Sequence, residues 1–473
     1  MSTKPPGATG PSLTEIYAEL DATDINTGGK TIHAKRQSGR WRSFKWTVSP
    51  IWLILFLGPY LRWGERQAVL FDIPNRQFHI FNITVLPQDF WMLSLVLLFF
   101  ALLLAISTAL AGRVFCGFFC FQTVWTDVFT WIEEKFEGPP RARYQLDQQP
   151  FGIRKLRIKL IKHLIWLAIS VVTGISFVAW FTDAYGLWGN LAVFDLPPVA
   201  WITIAIFTAF TYVFAGLLRE QVCFWLCPYA RIQSAMVDKH TVIPTYDLGR
   251  GEPRGRVRRA EDSATDVGDC VDCNQCVAVC PTGVDIRKGL QEGCIMCALC
   301  LDACDHVMDK VGRPRGLIRY SSFDELEGAI APPIHKRGRV WVYAGIMLLS
   351  LLGVGFGLST LEAVELKVLH GRQPLFVLQS DGSIQNKYTL KVLNKTTEDM
   401  SLRVTASGPG GLTLVGADEA ITARKGQVTP MTLFVRVPRS NLQGDVSPIT
   451  FRIDSPDNPA LFSKRESIFV GPK

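Results

Sequence analysis

The sequence predicts a multi-domain membrane protein: a five-span α-helical membrane domain, a cysteine-rich insert and an all-β C-terminal domain. Three observations predict it. Long uncharged stretches recur up to Leu361, eight of the twelve cysteines crowd into Cys270–Cys304, and the chain beyond alternates apolar and polar residues between turns. Hydrophobic content of 48% and a mean hydropathy of +0.18 over 473 residues exclude an ordinary soluble enzyme of one domain.

Four uninterrupted stretches are long enough to cross a bilayer, which needs about 20 helical residues. They run over 90–112, 164–182, 196–218 and 340–361. A fifth, 46–61, is shorter and carries Pro50, Gly58 and Pro59, but Arg42 and Lys45 flank one end and Arg62 the other. The net charge of +8 fits retention of Lys and Arg on the cytoplasmic side better than nucleic-acid binding. Seven Lys and Arg precede Trp46, three lie in 61–90, nine in 112–164 and none in 182–196. That alternation predicts an inner N-terminus and an outer C-terminus. The apolar run Val114–Ile132 is read as re-entrant or interfacial, since crossing there would move the basic "RKLRIKLIK" outside. The polar N-terminus has no secretory signal pattern and reads as a mobile tail.

The expected division is a cytoplasmic tail 1–45, a membrane domain 46–237 with four spans, a cytoplasmic insert 238–338, a last span 339–361 and an outer domain 362–473. Within the insert, "CVDCNQCVAVCP" and "CIMCALCLDAC" both have the spacing C-x2-C-x2-C-x3-C. This is the bacterial ferredoxin run, in which the fourth cysteine serves the other cluster. The expectation is therefore a ferredoxin-like domain with two [4Fe-4S] clusters. Cys270, Cys273, Cys276 and Cys304 would hold one, and Cys294, Cys297, Cys300 and Cys280 the other. Zinc is the weaker alternative, because two matching triple-cysteine runs exceed what a tetrahedral site needs. Pro281 follows the first run as the signature asks; Asp305 replaces proline after the second.

The remaining cysteines, Cys116, Cys120, Cys223 and Cys227, form two C-x3-C motifs after long spans, related by an offset of 107 residues that suggests a partial duplication. Either both sulfurs of a pair share one helix face, or Cys227 caps a helix begun by Pro228. The four sulfurs could bind a soft metal such as Cu(I), relay electrons as dithiols, or pack as small apolar groups. His79 is a candidate outer metal ligand against the more ordinary reading of a packed histidine. His306 is a candidate tuner of a cluster. Asp183 and Asp195 read as solvent-facing. After the last span, "KYTLKVLNKT", "LRVTAS", "LTLVGA", "MTLFVRVP" and "ITFRID" predict about seven strands of an immunoglobulin-like sandwich without disulfides. Its expected role is docking.

Together "CGFFCFQTVWTD", "CFWLCPYARIQSAM", "YDLGRGEPRG", the paired ferredoxin runs, "CDHVMDK" and "GLIRY" resemble the FixG/CcoG family of cytochrome c oxidase accessory proteins, from about Arg40 to the C-terminus. The resemblance implies a bacterial inner-membrane protein that assists assembly of cbb-type haem–copper oxidases and acts as a cupric reductase, with copper as substrate. It implies partners in the oxidase or its copper-delivery factors; the mechanism would add an unknown cytoplasmic electron donor, and a homo-oligomer is one assembly state left open by the sequence. On that basis Cys116, Cys120, Cys223 and Cys227 are the expected copper-binding and catalytic residues. A quinol-oxidising subunit and a non-catalytic scaffold are the alternatives. The family pattern has proline after both C-x3-C motifs; here Phe121 stands in the first copy.

Overall fold

The structure, a computed structural model, describes residues 32–64, 66–74, 76–81, 83–85, 89–255, 267–330, 332–360, 362–396, 398–417, 420–442, 444–456, 458 and 461–472. The reading of the first 31 residues as a tail lies outside the described residues. The chain forms two compact units that cut across the linear domain order. One contains Leu95–Ala179, Tyr185–Leu352 and the segment ending at Pro59; the other contains Tyr60–Ser94, Trp180–Ala184 and Gly353–Lys473.

Four helices among the described residues are long and apolar enough to cross a membrane: Phe90–Ala111, Ile153–Val178, Pro198–Leu218 and Gly338–Ser359. The fifth expected span is helical but interrupted. Arg40–Val48 and Leu53–Leu57 are α-helical, while the proline-containing Ser49–Trp52 and Gly58–Tyr60 tighten to 3-10 turns, because proline lacks the N–H that an α-helical interior uses. In the first unit, Ile153–Val178 packs on Pro198–Thr211, with Phe177 stacked on Phe207 at 3.7 Å. Gly174 permits this approach: a Cβ there would lie 2.8 Å from the Ile204 carbonyl oxygen.

The run Val114–Ile132 is not one helix. Val114–Phe118 ends at Phe119, and Phe121–Glu137 starts afresh. The second helix carries acids into buried surroundings, where basic residues gather on them. Asp127 meets Arg36 and Arg42 at 2.9 Å and Lys45 at 3.3 Å. Glu133 meets Arg143 and Lys162 at 3.2 Å and Arg219 at 3.0 Å. Those cations hold the Asp127 carboxyl well below the usual carboxylate range, against the opposing effect of burial.

The insert rests on an antiparallel pair, Ile243–Tyr246 with Ile318–Ser321, and on the helix Leu299–Val311. Tyr246, Ile286, Leu301, Met308 and Leu317 form its small apolar core with Cys270, Cys276 and Cys304. Asp305, at the position of the missing proline, accepts a hydrogen bond from Gly316 N at 2.9 Å and so ties the helix to the following loop.

In the second unit, residues 364–470 form a sandwich of nine strands where about seven were expected. One sheet orders Thr413–Val415, Val428–Pro438, Ser383–Asn394 and Val364–His370, with Val377–Leu378 added to Ser383–Asn394; the other orders Ile421–Ala423, Met400–Ser407, Val446–Asp454 and Phe462–Val470. Alternation along Ser383–Asn394 sends Tyr388, Leu390 and Val392 inward against Leu433, Phe451 and Phe469. The buried Tyr388 hydroxyl donates to the Ile468 carbonyl at 2.7 Å, which removes the cost of hiding it. The same unit holds a three-stranded sheet over Val69–Asp72, Gln77–Ile80 and Ile83–Val85.

Candidate iron-sulfur and membrane-edge cysteine sites

The two ferredoxin runs fold as copies of one backbone. Asp272 and Asn274 in the first, and Met296 and Ala298 in the second, have φ between 50° and 59°. They occupy equivalent positions around the second cysteine of each run. Left-handed backbone costs a non-glycine residue roughly 1–2 kcal/mol, so four such residues in register mark loops bent around something. Two cavities lie inside those bends. One is lined by Cys270, Cys273, Cys276 and Cys304. The other is lined by Cys280, Cys294, Cys297 and Cys300, and by Cys276 as well.

The structure thus gathers the cysteines in the crossed sets that the spacing predicts. Burial pushes the Cys276, Cys294 and Cys304 thiols up to about 12, so without a cationic core these groups stay protonated. Four cysteines lining each of the two cavities fit two [4Fe-4S] clusters, whose iron would compensate the thiolates. Among the described residues no three His, Cys, Asp or Glu side chains are arranged to hold a single metal ion.

The C-x3-C motifs resolve into a shared turn. Cys120 N donates to the Phe115 carbonyl and Cys227 N to the Val222 carbonyl, both at 2.9 Å; these two bonds are equivalent under the 107-residue offset. Cys120 and Cys227 then precede the helices Phe121–Glu137 and Pro228–Met236 as their N-caps. The capping alternative describes both copies, and the arrangement of both sulfurs along one helix does not occur. Phe121 fills the first helical position without proline, so the departure at that residue leaves the turn intact. Upstream the match continues: Gly112 and Arg219, also 107 apart, both have positive φ, at 58° and 48°.

Burial pushes the Cys116 thiol to about 11 and the Cys223 thiol to about 12. Cys116 feels Cys120 and Cys227 electrostatically, and Cys223 feels Cys116, Cys120 and Cys227. A residue that sequence reasoning missed joins them. Gln233, fully buried, accepts from the Cys116 sulfur at 2.9 Å and donates to Thr108 Oγ1 at 3.1 Å. Its place in "RIQSAM", after the second motif, was the available signal.

The membrane-edge turns also abut the second cavity. A Cβ on Gly117 would lie 2.7 Å from the Ile295 oxygen and 2.9 Å from Cys297 Cα. Cys116 packs with Val279, Ile295, Cys297 and Leu299. Beside Cys223 opens a cleft lined by Arg42, Lys45, Arg219, Glu220 and Leu299. Burial raises the Glu220 carboxyl above its usual range.

Other candidates separate cleanly. His79 is a packed residue: its Nδ1 lies 2.9 Å from Arg66 Nη1 and 3.1 Å from Thr84 Oγ1, and burial lowers it to about 4. Asp183 faces water as expected, its side chain about half exposed while it pairs with Arg62 at 2.6 Å.

The profile of a 4Fe-4S dicluster domain matches residues 218–323, and that of a 4Fe-4S binding domain matches 93–139 and 197–237, the segments that carry the C-x3-C motifs. A third, described as the IG-like fold at the C-terminal of FixG, matches 354–472. The nitrogen fixation protein FixG of Rhizobium meliloti (strain 1021) is 40% identical over 483 residues, covering 91% of this chain and 92% of its own. Proteins RdxA and RdxB of Cereibacter sphaeroides are 38% and 41% identical, covering 90% and 81% of this chain and 94% and 84% of their own.

Proposed function

The chain belongs to the FixG family, and from that premise we propose that this iron-sulfur electron-transfer protein reduces Cu(II) to Cu(I) for the assembly of a cbb-type cytochrome c oxidase. Cys270, Cys273, Cys276 and Cys304, and separately Cys280, Cys294, Cys297 and Cys300, are the proposed cluster ligands. When bound, the clusters supply one-electron transfer. Copper is the substrate, Cu(II) taking one electron to become Cu(I), and Cys116, Cys120, Cys223 and Cys227 are its proposed ligands.

One observation carries the reading: Gly117, inside the first C-x3-C motif, lies against the backbone of Ile295 and Cys297. Soft thiolates at that contact favour the cuprous product. Among the described residues no three donors stand ready for one ion, so the proposed capture of copper brings the two turns together on it. The buried thiols give up their protons as the metal enters.

The proposed sidedness draws support from the count of Lys and Arg in the connections between spans. Every cysteine belongs to one unit, which includes Leu95–Ala179 and Tyr185–Leu352, and the sandwich to the other. We read the cysteine-bearing connections as cytoplasmic and the sandwich as periplasmic in a bacterial inner membrane. The oxidase, or the factors that deliver its copper, is the proposed partner.

The test is anaerobic Cu(II) reduction by the purified, cluster-loaded, pre-reduced protein beside a Cys223→Ser/Cys227→Ser variant with intact clusters. Stoichiometric Cu(I), lost in the variant, is expected; equal reduction by both would remove the cysteines from the reaction. The cleft beside Cys223 favours a second reading for the electron source, a quinol, with Glu220 as proton acceptor. Cluster reduction by a soluble quinol without copper, lost in Glu220→Leu, distinguishes it.

A further inference from the structure

Arg113 is a cation without an anion. It is 3% exposed, and among the described residues it forms no ion pair with a carboxylate. Its Nε has no hydrogen-bond partner. Its other contacts fasten it to one place: the backbone N–H donates to Met296 Sδ at 2.9 Å, and Nη1 donates to the Glu292 carbonyl. The preceding Gly112 is equally tight against that loop, since a Cβ there would run into Met296 Sδ. The guanidinium acts electrostatically on Cys116, Cys223 and Cys294.

A buried charge left unpaired costs several kcal/mol, so native proteins rarely keep one without an anion. The candidate anion here is sulfur. Four thiolates around a [4Fe-4S] core that carries two positive charges leave a net charge of minus two, and reduction adds another negative charge. The first cavity differs. Arg287, which acts on Cys276, is occupied by Asp272 at 2.6 Å and Asp285 at 2.7 Å, and Asp305 adds negative charge near Cys304. Around the second, Lys45 and Arg42 act on Cys297 and share the carboxylate of Asp127 with Arg36.

We infer that Arg113 is the counter-charge of the iron-sulfur centre held by Cys280, Cys294, Cys297 and Cys300, placed where that centre meets the C-x3-C turns. It is a positioning residue that makes the second centre the easier one to reduce, so that electrons collect beside Cys116 and Cys223. The inference rests on the cluster assignment in the proposed function and is independent of whether copper is the acceptor.

The experiment is a redox titration of the full-length, cluster-loaded protein followed by electron paramagnetic resonance, with the two signals assigned through a Cys273→Ser variant that perturbs only the first. In Arg113→Gln the second centre should become harder to reduce by about tenfold in its equilibrium, 59 mV for a one-electron couple, while the first stays put. Arg113→Lys, which keeps the charge, should restore the wild-type value. No shift, equal shifts in both centres, or the same shift in the lysine variant would overturn the inference. If Arg113→Gln does not load its clusters, loading by the lysine variant alone still supports a demand for charge, and failure of both variants refutes it. A protein that shows the shift but reduces no copper keeps this inference and loses the copper reading.

Discussion

At Asp127 one carboxylate answers three cations, and that ratio sets what its loss would do. Asp127→Asn leaves Arg36, Arg42 and Lys45 without their shared partner, with an expected cost of about 3–5 kcal/mol. The pH dependence follows from a depressed pKa. The stabilisation from Asp127 is complete above the unfolded carboxylate range and is lost only as pH falls through the lower folded value. Wild type and variant should therefore differ most near pH 7 and converge on strong acidification. Thermal unfolding in detergent across that range checks both statements. Gly117 offers a second test. In Gly117→Ala the new methyl meets backbone atoms of Ile295 and Cys297, which cannot swing aside, and overpacking of this kind costs about 1–3 kcal/mol. Cu(II) reduction should fall several-fold with the cluster absorbance retained. Unchanged rates would mean that this contact does not set the electron route.

At the scale of elements, the ferredoxin loops hold themselves open by strain that the bound clusters must offset. Asp272, Asn274, Met296 and Ala298 are all left-handed, and the helix between Gln275 and Ala278 spans only four residues, too short to be stable alone. Removing iron with a chelator should therefore make residues 267–322 sensitive to protease while the C-terminal sandwich stays resistant. Resistance of both after chelation would show that the protein core alone supports the loops. The sandwich owes its independence to a core of its own, with Leu390, Leu433 and Phe451 fully buried between the sheets.

For the whole molecule, the distribution of basic residues predicts an outer C-terminal sandwich and inner cysteine motifs. Alkaline phosphatase fused after Gly471 should be active, as expected outside the cytoplasm, and inactive when fused after Met236. The reverse pattern would invert the sidedness drawn from the Lys and Arg count.

The membrane character, the crossed cysteine sets and the strands Ser383–Asn394, Met400–Ser407 and Val446–Asp454 were legible in the sequence. Each rests on neighbours a few residues apart, whether as hydrophobic run, C-x2-C spacing or alternation. The duplicated turn was half legible: the offset of 107 residues was visible, but the capping role of Cys120 was not, because Phe121 removed the proline that signals it. The strands Val364–His370 and Phe462–Val470 complete the sandwich through pairings with distant strands, and the sequence of the second carries only a weak alternation. Only the tertiary structure brought Gly117 against Cys297, Gln233 onto Cys116, and Arg113 into the joint between the cysteine motifs and the second cluster loop. Arg113 and Met296 are separated by 183 positions. An isolated arginine after a hydrophobic run reads as a membrane-edge charge, and it becomes a counter-ion only when packing excludes water and carboxylates from around it.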